Sequence, residues 1–133
     1  MGRPSFALTI VGAGTAADYS FVKEKIDHFI DGIRDRYEFI IISDGASGAD
    51  MFLKRYALEN GFLLKEMPAA KDRRQSSTGY IQSREIHCYA AGFEHRGCIA
   101  FWDGRSCGIL PSKKMADLYK TPFRIVRCGA GAK

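Results

Sequence analysis

Three isoleucines stand in succession at Ile40, Ile41 and Ile42, inside the segment Glu38–Ser43. Side chains alternate between the two faces of a strand, so an unbroken apolar run of this kind buries both faces at once. Such a strand suits a parallel sheet with helices packed on each side. The rest of the chain keeps the same rhythm. Short β-rich runs at residues 6–11, 62–67, 97–102 and Phe123–Arg127 alternate with longer stretches of helical spacing. The first of these carries Tyr19, Val22, Ile26, Phe29, Ile30 and Ile33 behind Asp18, a residue suited to cap it. A second helix is predicted over Ala49–Asn60, with Gly61 where a left-handed cap falls. Residues 80–91 form the third, broken by Gly92, and residues 111–120 the fourth, with Pro111 fitted to its first turn. Residues 69–78, with Lys71, Arg73 and Arg74, read as a long loop.

The order βαβαβαβαβ predicts an α/β fold, a Rossmann-like three-layer sandwich with a mainly parallel five-stranded sheet. At 133 residues the chain is expected to be one domain over 1–133, with 129–133 a disordered tail. A domain of this size buries enough surface to fold without disulfides or a metal. Apolar residues at 46% and charged residues at 26% exclude a disordered or collagen-like chain. No apolar run approaches the roughly 20 residues that cross a bilayer. The first residues lead directly into a strand, so neither a membrane segment nor a signal peptide is expected. Cys88, Cys98, Cys107 and Cys128 form no C-x-x-C pair and no zinc-like spacing with His28, His87 or His95. They read as reduced structural thiols, which fits a cytoplasmic protein, and neither a metal nor a cofactor is expected.

In open sheets of this type, ligands sit beyond the carboxyl ends of the strands, where the strand order reverses. The loops after the first, second and fourth strands therefore carry the functional reading. The net charge of +5 favours an anionic ligand, such as a phosphate-bearing one, and also fits weak non-specific contact with nucleic acid. The first loop, Gly12-Ala13-Gly14-Thr15-Ala16-Ala17-Asp18, is small enough for close backbone approach and leads into a helix N-terminus. It equally suits a tight structural turn, and no acidic residue follows at the spacing a dinucleotide ribose would need. The second loop is Ser43-Asp44-Gly45-Ala46-Ser47-Gly48-Ala49-Asp50. It suits phosphate or ribose, or else Asp44 or Ser47 simply caps the next helix. Asp50 in the first turn would repel phosphate and suits hydroxyls better. The fourth loop, Asp103-Gly104-Arg105-Ser106-Cys107-Gly108-Ile109, follows Phe101-Trp102 and adds a cation. Arg84 on the third helix suits a bidentate phosphate clamp, or a surface ion pair of little consequence. His87 and His95 lack nucleophile signatures and read as structural or solvated.

The Ser43–Asp50 turn, the Ser83-Arg84-Glu85 helix and the run from Ala100 to Gly108 together resemble the SLOG superfamily, in its YspA/YpsA-related branch. The resemblance spans about residues 6–128. It implies a Rossmann-like fold that binds nucleotides or nucleotide-derived ligands, related to the LOG phosphoribohydrolases and to DprA. This chain departs from the pattern at Ala13-Gly14 in the first loop, at Asp44 and Ser47 in the second, at Ser83 and at Ile109. Arginines are thereby lost from two loops. The residues after Gly108 also lack the carboxylate that the LOG enzymes pair with an arginine like Arg84.

The resulting expectation is a sensor or capture domain for a nucleotide-derived ligand. Gly12, Gly14, Gly45, Gly48, Gly104 and Gly108 shape the floor, and Ser43, Ser47 and Ser106 donate hydrogen bonds. Asp50 and Asp103 accept from ribose hydroxyls, and Arg84 or Arg105 meets phosphate. The alternative is a nucleoside-phosphate N-glycosidase with Arg84 and Asp103 as catalytic candidates. Nucleic-acid binding through residues 71–74 ranks last, since the excess charge is small and no aromatic is interleaved with it. Relatives pair through helices, so a homodimer is compatible with the resemblance.

Overall fold

The computed structural model describes residues 2–16, 18–45, 49–68, 78–104 and 109–128. The isoleucine run forms the strand its pattern demands. Strand β2 (Glu38–Ser43) turns Ile41 to one side of the sheet, while Ile40 and Ile42 face the other. Around it lie β1 (Ser5–Val11), β3 (Leu63–Glu66), β4 (His95–Trp102) and β5 (Phe123–Arg127). The sheet has the order β3-β2-β1-β4-β5, and all four pairings are parallel. Helices α1 (Tyr19–Ile30) and α2 (Ala49–Asn60) cover one face. Helices α3 (Thr78–Ala90) and α4 (Leu110–Tyr119) cover the other. This is an α/β, Rossmann-like three-layer sandwich.

Two cores follow from the two faces. Leu8, Ile10, Ile41, Ile99 and Phe101 pack beneath Val22, Ile26 and Ile30 of α1 and Leu53, Tyr56 and Ala57 of α2. On the other side Ala7 and Ile42 meet Ile86 and Ala90 of α3, while Val11, Cys98 and Ala100 meet Ile109 at the entrance to α4. Asp18 caps α1 as expected, accepting the Phe21 N–H at 3.0 Å. The α1 helix ends at Ile30, short of Ile33, which closes a further turn by donating its N–H to the Ile30 carbonyl at 2.9 Å. Strand β4 starts two residues before the expected residue 97. Gly97 lies within it, at a position where a β-carbon would come to 3.1 Å from the Phe29 ring. Strand β3 is shorter than expected, at Leu63–Glu66, and α3 begins earlier, at Thr78. The expected tail at 129–133 and loop residues 69–77 lie outside the described residues. Among the described residues no helix is long and apolar enough to cross a membrane.

A polar clasp joins α1 to α2 at the amino end of the sheet. Asp27 accepts from Tyr56 Oη at 2.6 Å, from Arg34 at 2.9 Å and from Lys23 at 3.0 Å. Arg34 also donates to Asn60 Oδ1 at 2.7 Å. Burial opposes ionisation of Asp27, but the hydrogen bonds from Tyr56, Lys23 and Arg34 outweigh it and hold the carboxyl below its usual range. A carboxyl lowered on folding contributes stability that is full above the unfolded value and is lost as pH falls through the folded one. Asp27→Asn is therefore expected to unfold at lower urea than the parent at pH 7. The gap should narrow as pH falls below about 3.8, which urea midpoints across the pH range will measure.

Candidate functional site

Because every strand is parallel, the carboxyl ends of all five share one edge. The chain steps outward from β1 through β2 to β3, then crosses back to place β4 on the other side of β1. The strand order thus reverses between β1 and β4, where crevices for ligands form in open α/β sheets. Gly12 leaves β1 at this point with φ of +75° and starts a 3-10 turn over Ala13–Thr15. A β-carbon on Gly12 would collide with the Phe101 carbonyl oxygen of β4. Both the left-handed conformation and the close approach require glycine. Ala13 and Ala16 are buried beneath the turn, and Gly14 is exposed upon it.

The neighbouring strand ends are stitched to one another. Ser43 is fully buried and its Oγ accepts the Gly45 N–H at 3.0 Å, so that oxygen is engaged in the turn itself. Gly45 lies against Pro68, where a β-carbon would approach Pro68 Cβ to 2.8 Å. Gln82 of α3 donates to the Asp44 carbonyl at 2.8 Å and the Met67 carbonyl at 3.1 Å, pinning the loop after β2 to the end of β3. On the other flank Trp102 accepts from the Cys128 N–H at 2.8 Å, and Asp103 and Gly104 follow β4. Gly104, with φ of +86°, leaves space that the Arg127 guanidinium occupies.

Gly12, Gly14, Ser43, Gly45, Asp103 and Gly104 therefore gather along the carboxyl edge. Asp50 lies in the first turn of α2, the helix that follows the second of these loops. Ser47, Gly48, Arg105, Ser106 and Gly108 lie outside the described residues, as does Cys107. Arg84 is in a different place. Gln82 turns to the edge, and a residue two positions on points away from it around the helix. Arg84 is exposed in a groove of about 550 Å³ between α3 and α4, with Cys88, Tyr89 and Tyr119. A second cleft, of about 470 Å³, opens at the amino end of the sheet between Arg3, Arg34, Tyr37, Asn60 and Phe62.

Sequence reasoning missed Gln82 and Arg127, whose partners are backbone carbonyls and an aromatic face rather than motif residues. His87, expected to be structural or solvated, is structural. His87 Nε2 and Ser112 Oγ share a hydrogen bond at 2.7 Å between α3 and α4, both side chains being buried. Cys98 lies under them in β4, and burial pushes its thiol up to about 12. Cys88, Cys98 and Cys128 form no disulfide. Among the described residues no group of three or more His, Cys, Asp or Glu side chains is placed to hold a metal ion.

No family model matches the chain, and no curated protein matches it.

Burial holds the His87 imidazole down to about 4 from its ordinary 6.5. The unfolded chain therefore binds a proton that the folded chain refuses between those values. The neutral side chain's contribution is complete above about pH 6.5 and falls as pH drops toward 4. His87→Gln is expected to flatten that part of the stability profile, measured by urea midpoints at half-unit intervals of pH.

Proposed function

We propose that this chain is a cytoplasmic sensor or capture domain for a nucleotide or nucleotide-derived ligand, of the SLOG type, with its site on the carboxyl edge between β1 and β4. The observation that carries this reading is the convergence of the loops after β1, β2 and β4 at the reversal of strand order, with Gly12 drawn against β4. Asp103, directly after β4, would accept from a ribose hydroxyl, and Asp44, after β2, adds a second acidic group on the same edge. The loop after β1 supplies small residues over which a base or sugar can lie close to the backbone. The net charge of +5 suits a ligand that carries phosphate.

Titration calorimetry with AMP, GMP, CMP and UMP tests the reading, with chromatography of each mixture after prolonged incubation. Binding of at least one mononucleotide, recovered intact, is the expected result. Asp103→Asn should weaken that ligand roughly tenfold while changing its 2′-deoxy form much less, since the lost hydrogen bond is to a charged acceptor. Binding of none of the four contradicts the proposal. Release of free base that disappears in Asp103→Ala or Arg84→Ala would instead make the chain an N-glycosidase.

A further inference from the structure

We propose that Arg127, the last residue of β5, is the oxyanion anchor of the carboxyl edge and holds the phosphate of a bound mononucleotide; this rests on the nucleotide reading above. Trp102 and Arg127 are register partners at the ends of β4 and β5, which sends both side chains to the same face of the sheet. The guanidinium carbon lies 5.7 Å from the centre of the Trp102 ring. The guanidinium also fills the space left open at Gly104, where any β-carbon would collide with it. The cation thus touches both the Trp102 indole and Gly104 on the edge. A cation–π contact uses none of the guanidinium's N–H donors as hydrogen bonds to a carboxylate, and these donors suit a planar or tetrahedral oxyanion.

Charge on the edge points the same way. Arg127 is exposed, and no ion pair is formed between it and a carboxylate of the described residues. Among the described residues of the edge, Asp44 follows β2, Asp103 follows β4 and Arg127 ends β5. With Asp103 taking ribose hydroxyls and Arg127 the anion, the ribose lies at the reversal point and the phosphate at β5. Adjacent strands are about 4.8 Å apart, so Arg127 lies one strand beyond β4 and within the length of a mononucleotide. Arg84, turned into the α3–α4 groove, does not share this position.

The test is calorimetric titration of the parent chain, Arg127→Gln and Arg127→Lys with AMP, GMP, CMP and UMP, each against its own nucleoside. The parent should bind one mononucleotide more tightly than the matching nucleoside. Arg127→Gln should weaken the mononucleotide roughly ten- to a hundredfold and leave the nucleoside unchanged, as expected for loss of charge-assisted hydrogen bonds. Arg127→Lys, which keeps the charge but not the planar fork, should recover only part of the loss. Trp102→Phe supplies a second variant with the cation intact, and should weaken the mononucleotide less than Arg127→Gln does. Unchanged mononucleotide affinity in Arg127→Gln overturns this inference and leaves the nucleotide site standing. Failure of the parent to bind any mononucleotide overturns both.

Discussion

Gly12 lies against the Phe101 carbonyl with no room for a β-carbon, and the architecture of the carboxyl edge depends on that contact. It joins the two strands at which the chain reverses direction across the sheet. A side chain at Gly12 would force β1 and β4 apart at their carboxyl ends or refuse the left-handed turn. Either outcome would displace the 3-10 turn and the buried Ala13 and Ala16, which seat the loop on the core beneath α1 and α2. The other stitches extend the same principle outward. Gly45 and Gln82 bind the β2 loop to β3, and Gly104 receives Arg127 from β5. Small residues at the edge thus serve first to let the protein approach itself, and the resulting surface is what a ligand would meet.

The two ends of the sheet differ in how their polar groups are employed. At the amino end Asp27, Tyr56, Arg34 and Asn60 satisfy one another, and Arg3 donates to the Asp35 carbonyl. Two of the polar groups that line the cleft there, Arg34 and Asn60, are committed to that clasp. At the carboxyl end Gln82 and Ser43 spend their hydrogen bonds on backbone groups, and a cation stands exposed on β5. Beneath that edge the His87–Ser112 pair crosses from α3 to α4 without reaching solvent. It joins α3, packed on β1 and β2, to α4, whose entrance packs on β1 and β4, and so braces the two helices.

The layers were legible wherever one residue pattern had one physical outlet. The Ile40–Ile42 run requires burial on both faces, and Glu38–Ser43 is the strand observed. The helical spacing that ends at Asn60 and the β-branched pair in Phe123–Arg127 likewise fall within those bounds. Where a residue had two outlets the sequence misled. Gly97 reads as a strand boundary, yet it lies within β4, and Phe29 from α1 occupies the space above it. Ile33 fits the helical period but follows a turn that has already left the helix. The position of the candidate site was legible because parallel strands put all their following loops on one edge. Its chemistry was only partly so. Arg84 shares its helix with Gln82, and period alone does not say which of the two turns toward the sheet. Arg127 reads as an ordinary charge on an edge strand until its register with Trp102 is known.

The central claim is that ligand chemistry belongs to the carboxyl edge rather than to the cleft at the amino end. Backbone and indole NMR shifts of the labelled protein, followed during titration with mononucleotides, test it most directly. The account expects the largest changes at Gly12, Ala13, Gly45, Asp103 and Gly104 and at the Trp102 indole. Changes centred instead on Arg3, Arg34, Tyr37 and Gly61, with the Gly12 and Gly104 signals unmoved, would contradict it.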